Sequence, residues 1–522
     1  MFIYSSRNML QPVNKLSPEI LSRIAQHVLE HSDKDARKII PLTHVCRYWR
    51  GSIISAPGNW SIISSHSESL AALSLGRSKA IPLEITLNMD EVMARPGFSD
   101  ILKPYFQKTE ALTVSNLLTA KDLVQAIPGF PQSMPSLRSL EVKSSWTPIS
   151  RQRDPDRSID PFESLSPSLR HLSLLYTPLY PSILDLKNLV EFTFFDPFSG
   201  PVALDHFLTM LEENWSLTSM VLYIGLLEPT PNGLRRRAPI SNQLEYLSVS
   251  CGNPEGIRGL ISHIPLKPGA GLQIQSFSVQ GGLNDILSDI PATHFPNLRS
   301  PTRMLSYDTS IQSSGPNGSL CFRHPSRLEV PLLELPLLSF GSIRELLLQG
   351  SPCNGTLDPL IFPTLQTLAI EGNGSPQRAL SALFSSPGSS PLLETLVFLD
   401  CVLSEVFMES LARFVSERKD TASAGLGSVV IVHKNQEAPS AKSICSLESH
   451  VTVVVIGLSE ELPEDLDWCQ EDDNWRTFRA GFLRMYLLNL SLFCAQLVAT
   501  ELGIEFLLHG RRKPESMTGG CY

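Results

Sequence analysis

Residues 135–143, PSLRSLEVK, and residues 167–175, PSLRHLSLL, are two copies of one pattern, and that pattern decides the fold. In each copy a Pro is followed two positions later by a Leu, then by apolar residues three and five positions further on: Leu137, Leu140 and Val142, then Leu169, Leu172 and Leu174. The apolar residues alternate with Ser139, Glu141 and Lys143, or with His171, Ser173 and Leu175. This is the period-two pattern of a strand with one face buried.

Four more segments carry the pattern clearly, Leu244/Leu247/Val249, Ile343/Leu346/Leu348, Leu365/Leu368/Ile370 and Leu393/Leu396/Phe398. Three looser copies are Leu189/Phe192/Phe194, Leu217/Met220/Leu222 and Ile274/Phe277/Val279. From Val142 the gaps run 32, 20, 28, 27 and 30 residues to Val279, then 69, 22 and 28 to Phe398. A unit this short buries its strand only by stacking on its neighbours. Pro135, Pro167, Pro296, Pro363 and Pro391 stand two residues before the first apolar position, where a Pro should end a preceding helix and start an extended lead-in. The copy at Pro296 then fails at Arg299-Ser300-Pro301.

Working outward, Ser67 to Arg77 reads as a short helix and Leu83, Ile85 and Leu87 as a strand, so a helix followed by a strand recurs. Residues 281–340 break the period and hold seven Pro, which fits a loop-rich insertion or eroded repeats. Val429 to Val432 and Val451 to Ile456 are β-branched runs expected to form the last strands. At the other end, Ser17-Pro18-Glu19 is a helix start, with Ser17 placed to cap, Pro18 at the first helical position and Glu19 at the positive end of the dipole. Ile20, Leu21, Ile24 and Val28 form one apolar stripe, and after a stop at Pro41 a second follows in Leu42, Val45, Cys46, Trp49 and Ile53, closed by Pro57 and Gly58. Two or three short helices between Asn14 and Trp60 cannot bury both stripes alone, so a partner or neighbouring domain should cover them.

The residues Leu16-Ser17-Pro18-Glu19-Ile20-Leu21, then Ile24, Val45-Cys46-Arg47-Tyr48-Trp49-Arg50 and Trp60 resemble the F-box motif, with Ser17 standing where that family usually has its Pro. The apolar triplets are similar to the irregular leucine-rich repeats joined to F-box modules in expanded fungal families, whose period is about 20–29 residues. The resemblance implies an α/β chain in which an N-terminal helical F-box module, 14–60, precedes an irregular leucine-rich-repeat solenoid, 61–458, with a Pro-rich interruption near 281–340. An acidic run and a capping helix or tail follow at 459–522. It further implies a substrate-recognition subunit of a cullin-RING (SCF-type) ubiquitin ligase. Leu16, Pro18, Ile20, Leu21, Ile24, Val45, Cys46 and Trp49 would dock the SKP-type adaptor, and through it cullin. The repeats would hold a protein substrate. The alternative is a leucine-rich-repeat interaction scaffold acting outside ubiquitination. A doubly wound α/β domain is the rival fold, but it would want 10–15-residue helices after every strand and Gly-rich first turns, which are not evident.

If the repeats stack, the residues between the apolar positions line one concave sheet surface. Phe195, Tyr223 and Tyr246 would then stand on it in nearby repeats as candidate substrate contacts, unless the register is shifted by one and they are core. The formal charge of −9 argues against a nucleic-acid partner. Eight acids and no Lys or Arg lie between Glu460 and Asp473, with Trp468 and Trp475 beside or within the run. Nine scattered Cys without a Cys-x-x-Cys pair, and no secretory start, suggest reduced thiols in cytoplasm or nucleus. The uncharged stretch Met485 to Thr500 is short and polar for a membrane span and fits a capping helix better. Arg235-Arg236-Arg237 fits a solvated loop.

His27-Val28-Leu29-Glu30-His31 matches His-x-x-Glu-His, in which two histidines one turn apart hold zinc and the Glu is the base. Ser32-Asp33 break the helix directly after it, which favours polar surface at a helix end over a zinc hydrolase. No phosphate loop, dinucleotide turn or Gly-x-Ser-x-Gly elbow is present. No cofactor and no catalytic residue are expected.

Overall fold

The computed structural model describes residues 15–457 apart from several internal stretches, the longest being 146–159, 229–242, 277–300 (Ile286 excepted), 324–339 and 350–361. Two compact units are distinguished, Met1–Gly457 and Leu458–Tyr522, and every described residue belongs to the first. The acidic run, Trp468, Trp475, the stretch 485–500 and Arg235 to Arg237 lie outside the described residues.

The fold is mixed α/β, built on one sheet of 17 strands. A helical segment opens the chain with α1 (Pro18–Glu30), α2 (Ile39–Leu42) and α3 (Arg47–Ser55). The sheet starts at β1 (Ile62–Ser64), and α4 (Glu68–Ser78), capped by the Ser67 hydroxyl, leads to β2 (Leu83–Asn88). Then come β3 (Thr109–Leu117), β4 (Ser139–Ser144), β5 (His171–Leu175), β6 (Glu191–Asp196), β7 (Ser219–Ile224), β8 (Tyr246–Cys251) and β9 (Gly271–Ser276). Each of β1 to β8 pairs in parallel with the next in sequence. The second half, β13 (Glu345–Gln349), β14 (Thr367–Glu371), β15 (Thr395–Leu399), β16 (Ser428–His433) and β17 (Thr452–Gly457), repeats that rule.

Register confirms the period-two reading. Leu140, Leu172, Phe192, Met220 and Leu247 align across the strands, as do Val142, Leu174, Phe194, Leu222 and Val249, and all are buried. Helices cover this face: Phe194 meets Phe207 of the helix Leu204–Glu213 at 6.2 Å between ring centroids, and Phe398 meets Phe407 of the helix Glu405–Thr421 at 5.5 Å. Ser139, Glu141, His171, Ser173, Thr193, Phe195 and Tyr223 are on the opposite, open face and keep partial exposure.

Successive repeats are tied at the strand start by a shared carbonyl. Arg138 O accepts the N–H groups of Arg170 and His171, Arg170 O those of Val190 and Glu191, and Val190 O those of Thr218 and Ser219. The series resumes at Arg344 O, Gln366 O and Glu394 O. A hydroxyl one residue before the first apolar position adds a second tie. Ser168 Oγ donates to Leu137 O at 2.9 Å, Ser216 Oγ to Leu189 O at 2.9 Å and Thr364 Oγ1 to Ile343 O at 3.0 Å.

Three expectations about the array need correction. The repeated Pro acts as the second residue of a tight turn, because the carbonyls of Met134, Phe362 and Ser390 accept the N–H groups of Leu137, Leu365 and Leu393 across Pro135, Pro363 and Pro391. The copy placed at Ile274/Phe277/Val279 is out of phase, since β9 puts Leu272 and Ile274 opposite Leu247 and Val249. The interval 281–340 is neither plain loop nor eroded repeat: it holds β10 (Arg303–Tyr307), β11 (Ser310–Gly315) and β12 (Gly318–Arg323). β12 lies beside β9, β11 runs antiparallel between β12 and β10, and β10 joins β13, so the trio enters the sheet in reverse order. No helix among the described residues is long and apolar enough to cross a membrane.

Candidate functional site

The helical segment at the N-terminus is a small core with one apolar surface left over. α1 starts at Pro18 because the missing N–H there costs nothing, and Ser17 O accepts the Leu21 N–H at 3.1 Å. The Ser17 side chain makes no backbone cap, contrary to expectation. It hydrogen-bonds Glu19 instead, which holds that carboxyl below its ordinary value.

Leu21, Ala25 and Leu29 lie four residues apart and face Ile39, Trp49, Ile53 and Trp60 in a closed cluster. The cluster is pinned by polar ties. Trp60 Nε1 and Asn59 Nδ2 both donate to Ile53 O, at 3.1 and 3.2 Å, and Ser22 Oγ donates to Asn59 Oδ1 at 2.9 Å. Ile62 and Leu70 from the sheet side pack on it, and the Arg77 guanidinium sits 4.4 Å over the Trp60 ring. The neighbouring array thus covers what the segment cannot bury alone.

This arrangement corrects the expected adaptor-binding set. Leu21 and Trp49 are 0% and 6% exposed and belong to the interior, so neither offers itself to a foreign helix. Leu16, Ile24 and Cys46 are partly buried against the same cluster. Pro18, Ile20 and Val45 are exposed, with Ile20 at 42% and Val45 at 50%. Sequence reasoning missed two neighbours, Ile40 at 40% and Tyr48 at 41%. The reason lies in Ala25: counting only large apolar residues placed the stripe on Ile20, Leu21, Ile24 and Val28, whereas the buried face centres on Leu21, Ala25 and Leu29 and turns Ile20 outward. The second stripe is split too. Pro41 lies inside α2, where the first turn needs no N–H, and Cys46 precedes α3.

The Tyr48 hydroxyl donates to Leu16 O at 2.7 Å and so joins the start of α3 to the residues before α1. Leu16 precedes α1 and is partly buried, whereas Ile20, Val45 and Tyr48, from the two segments this bond connects, are exposed apolar side chains.

A polar joint lies at the first strand of the sheet. Glu91 accepts from Ser65 Oγ at 2.7 Å and meets His66 Nδ1 at 2.7 Å, while Arg95 Nη1 donates to Ser65 O at 2.8 Å. Burial pushes the Glu91 carboxyl up, but the bonds from His66 and Ser65 and the charges of His66 and Arg95 outweigh it and hold it below its ordinary value. Lowered in the folded chain, it stabilises the fold above the usual Glu pKa of about 4.3 and loses that contribution as pH falls through its lower folded value. The difference in unfolding temperature between the native chain and Glu91→Gln should be full at pH 7 and should shrink as pH falls below about 4.3. A difference unchanged at pH 3 would contradict the assignment.

The second surface is the open face near the ends of β5 to β7. Phe195 and Tyr223 are register partners and stack at 4.1 Å and 20°, and Tyr176 meets Phe195 edge-on at 4.9 Å. Tyr176, which sequence reading passed over, has positive φ of 57° just beyond β5, and its N–H bonds Phe195 O. Tyr246 does not join this group. Its register partners are Ser219 and Gly271, four positions down the strands, and its hydroxyl donates to Gln273 Oε1 at 2.8 Å.

His27 and His31 have ring centroids 4.0 Å apart, but His31 Nδ1 pairs with His27 O at 2.9 Å at the end of α1. No group of three or more His, Cys, Asp or Glu able to hold a metal occurs among the described residues. Compared with known proteins, the chain matches no family model and no curated relative.

Proposed function

We propose that this chain is the substrate-recognition subunit of a cullin-RING (SCF-type) ubiquitin ligase. Residues 14–60 act as an F-box-like module that docks an SKP-type adaptor. The sheet acts as an irregular leucine-rich-repeat array that holds a protein substrate, with Phe195 and Tyr223 among its contacts. The observation that carries the reading is the exposure of Ile20, Val45 and Tyr48 on a module whose core is closed. Three exposed apolar side chains on so small a module, with Tyr48 fixed by its bond to Leu16 O, suit a surface that a partner covers.

On this reading no side chain of the chain performs chemistry. Ubiquitin transfer is accelerated because the docked adaptor brings a charged conjugating enzyme near a lysine of the bound substrate, which raises effective concentration. The zinc-hydrolase reading has no third ligand near His27 and His31 among the described residues to support it.

Affinity purification of the tagged chain from cells should co-purify adaptor together with cullin. Adaptor without cullin would favour the scaffold alternative, and loss of both would end the reading.

A further inference from the structure

The charge around the apolar face is opposite to that of the chain as a whole. Between Asn14 and Trp60 there are seven Lys or Arg and four Asp or Glu, a balance of +3 in a chain whose total is −9. The bases lie where a docked partner would meet them. Lys15 adjoins Leu16, Arg23 is three residues beyond Ile20 on the exposed side of α1, and Arg47 stands between Cys46 and Tyr48; all three are exposed, and among the described residues none has an ion-pair partner. Arg50 is exposed too, with its Nε held by Thr43 O at 2.9 Å. Glu19, next to Ile20, is engaged by Ser17. The module also holds an unmet donor next to Tyr48, the Trp49 indole Nε1.

We infer that the partner of this face is an acidic protein surface, apolar at its centre and rimmed by carboxylates that meet Lys15, Arg23 and Arg47. This rests on the adaptor-docking reading and specifies its chemistry. Exposed, unpaired rim charges steer encounter more than they hold the complex, so they act on the association rate and are screened by salt. The apolar centre, by contrast, sets how long the complex lasts.

The test is binding of purified full chain to recombinant SKP-type adaptor by surface plasmon resonance at 50 and 500 mM NaCl. The association rate should fall about 10-fold or more with salt and by a similar factor in the double variant Arg23→Glu, Arg47→Glu, while the dissociation rate moves little. Both substitutions are at exposed sites, and an unchanged thermal unfolding profile verifies folding. Binding that ignores both salt and charge reversal overturns this inference and leaves the adaptor reading standing. Absence of any adaptor binding by the native chain overturns both. A duplex oligonucleotide binding as tightly as the adaptor at 150 mM NaCl would mark the rim as a nucleic-acid surface and overturn the inference too.

Discussion

Val45→Asp is expected to weaken adaptor binding about 30-fold or more while leaving the fold untouched, and Leu21→Asp to destroy the module that carries the binding face. Val45 is half exposed at the edge of α3, so a carboxylate there stays solvated and stability should change by no more than about 0.5 kcal/mol. At the centre of an interface the same charge is desolvated against apolar surface. Loss of a central anchor costs about 2–3 kcal/mol, roughly 30- to 150-fold in Kd. Leu21 is fully enclosed by Ala25, Trp49 and Ile53, and an unpaired carboxylate there should cost about 4 kcal/mol or more. Circular dichroism and near-ultraviolet signals from Trp49 and Trp60 separate the two. If Val45→Asp binds adaptor as tightly as the native chain, the exposed face is not the docking surface.

Asn214→Leu should cost several kcal/mol of stability although it replaces a polar residue by an apolar one of similar size. Asn214 is fully buried after the helix Leu204–Glu213, and its amide completes three backbone groups: Nδ2 donates to Leu186 O at 2.7 Å and Met210 O at 2.8 Å, and Oδ1 accepts the Leu189 N–H at 2.8 Å. It thereby bonds one repeat to the next just ahead of β6 and β7. Leucine fills the space but leaves the Leu189 N–H and Leu186 O unmet in a dry interior, at about 1–3 kcal/mol for each group. In a stacked array such a fault acts mainly on the adjoining units. Hydrogen exchange at β6 and β7 should therefore accelerate by two or more orders of magnitude while β14 to β16 remain protected. Uniform acceleration along the sheet would contradict a nearest-neighbour account.

The strand rhythm was legible because most repeats spell their buried face with large apolar residues. It failed where a small or polar residue does that job. β3 carries the same Leu112/Val114 couplet, but the place of the first apolar residue is taken by Thr109, buried with its hydroxyl on Tyr105 O at 3.3 Å. In β9 that place falls to Gly269, with φ of 89°, and without a side chain to mark it the reading slid five residues and took Ile274, the third buried position, for the first. The site shows the same limit. Ala25 hid the true inner face of α1, and the bond that assembles the outer face, Tyr48 to Leu16, joins residues 32 apart that no local pattern connects. The docking set implied by the resemblance to an F-box included two residues, Leu21 and Trp49, that lie in the core.

The reversed trio β10 to β12 has a consequence for how the polypeptide is made. Through β9 each new strand can settle on its predecessor as it leaves the ribosome, but β9's own neighbour is β12, synthesised only after β10 and β11. The growing chain must therefore wait with a bare strand edge until the hairpins turn back to close it. That interval is when a nascent molecule is most open to pairing with another, and it gives a chaperone a defined moment to act.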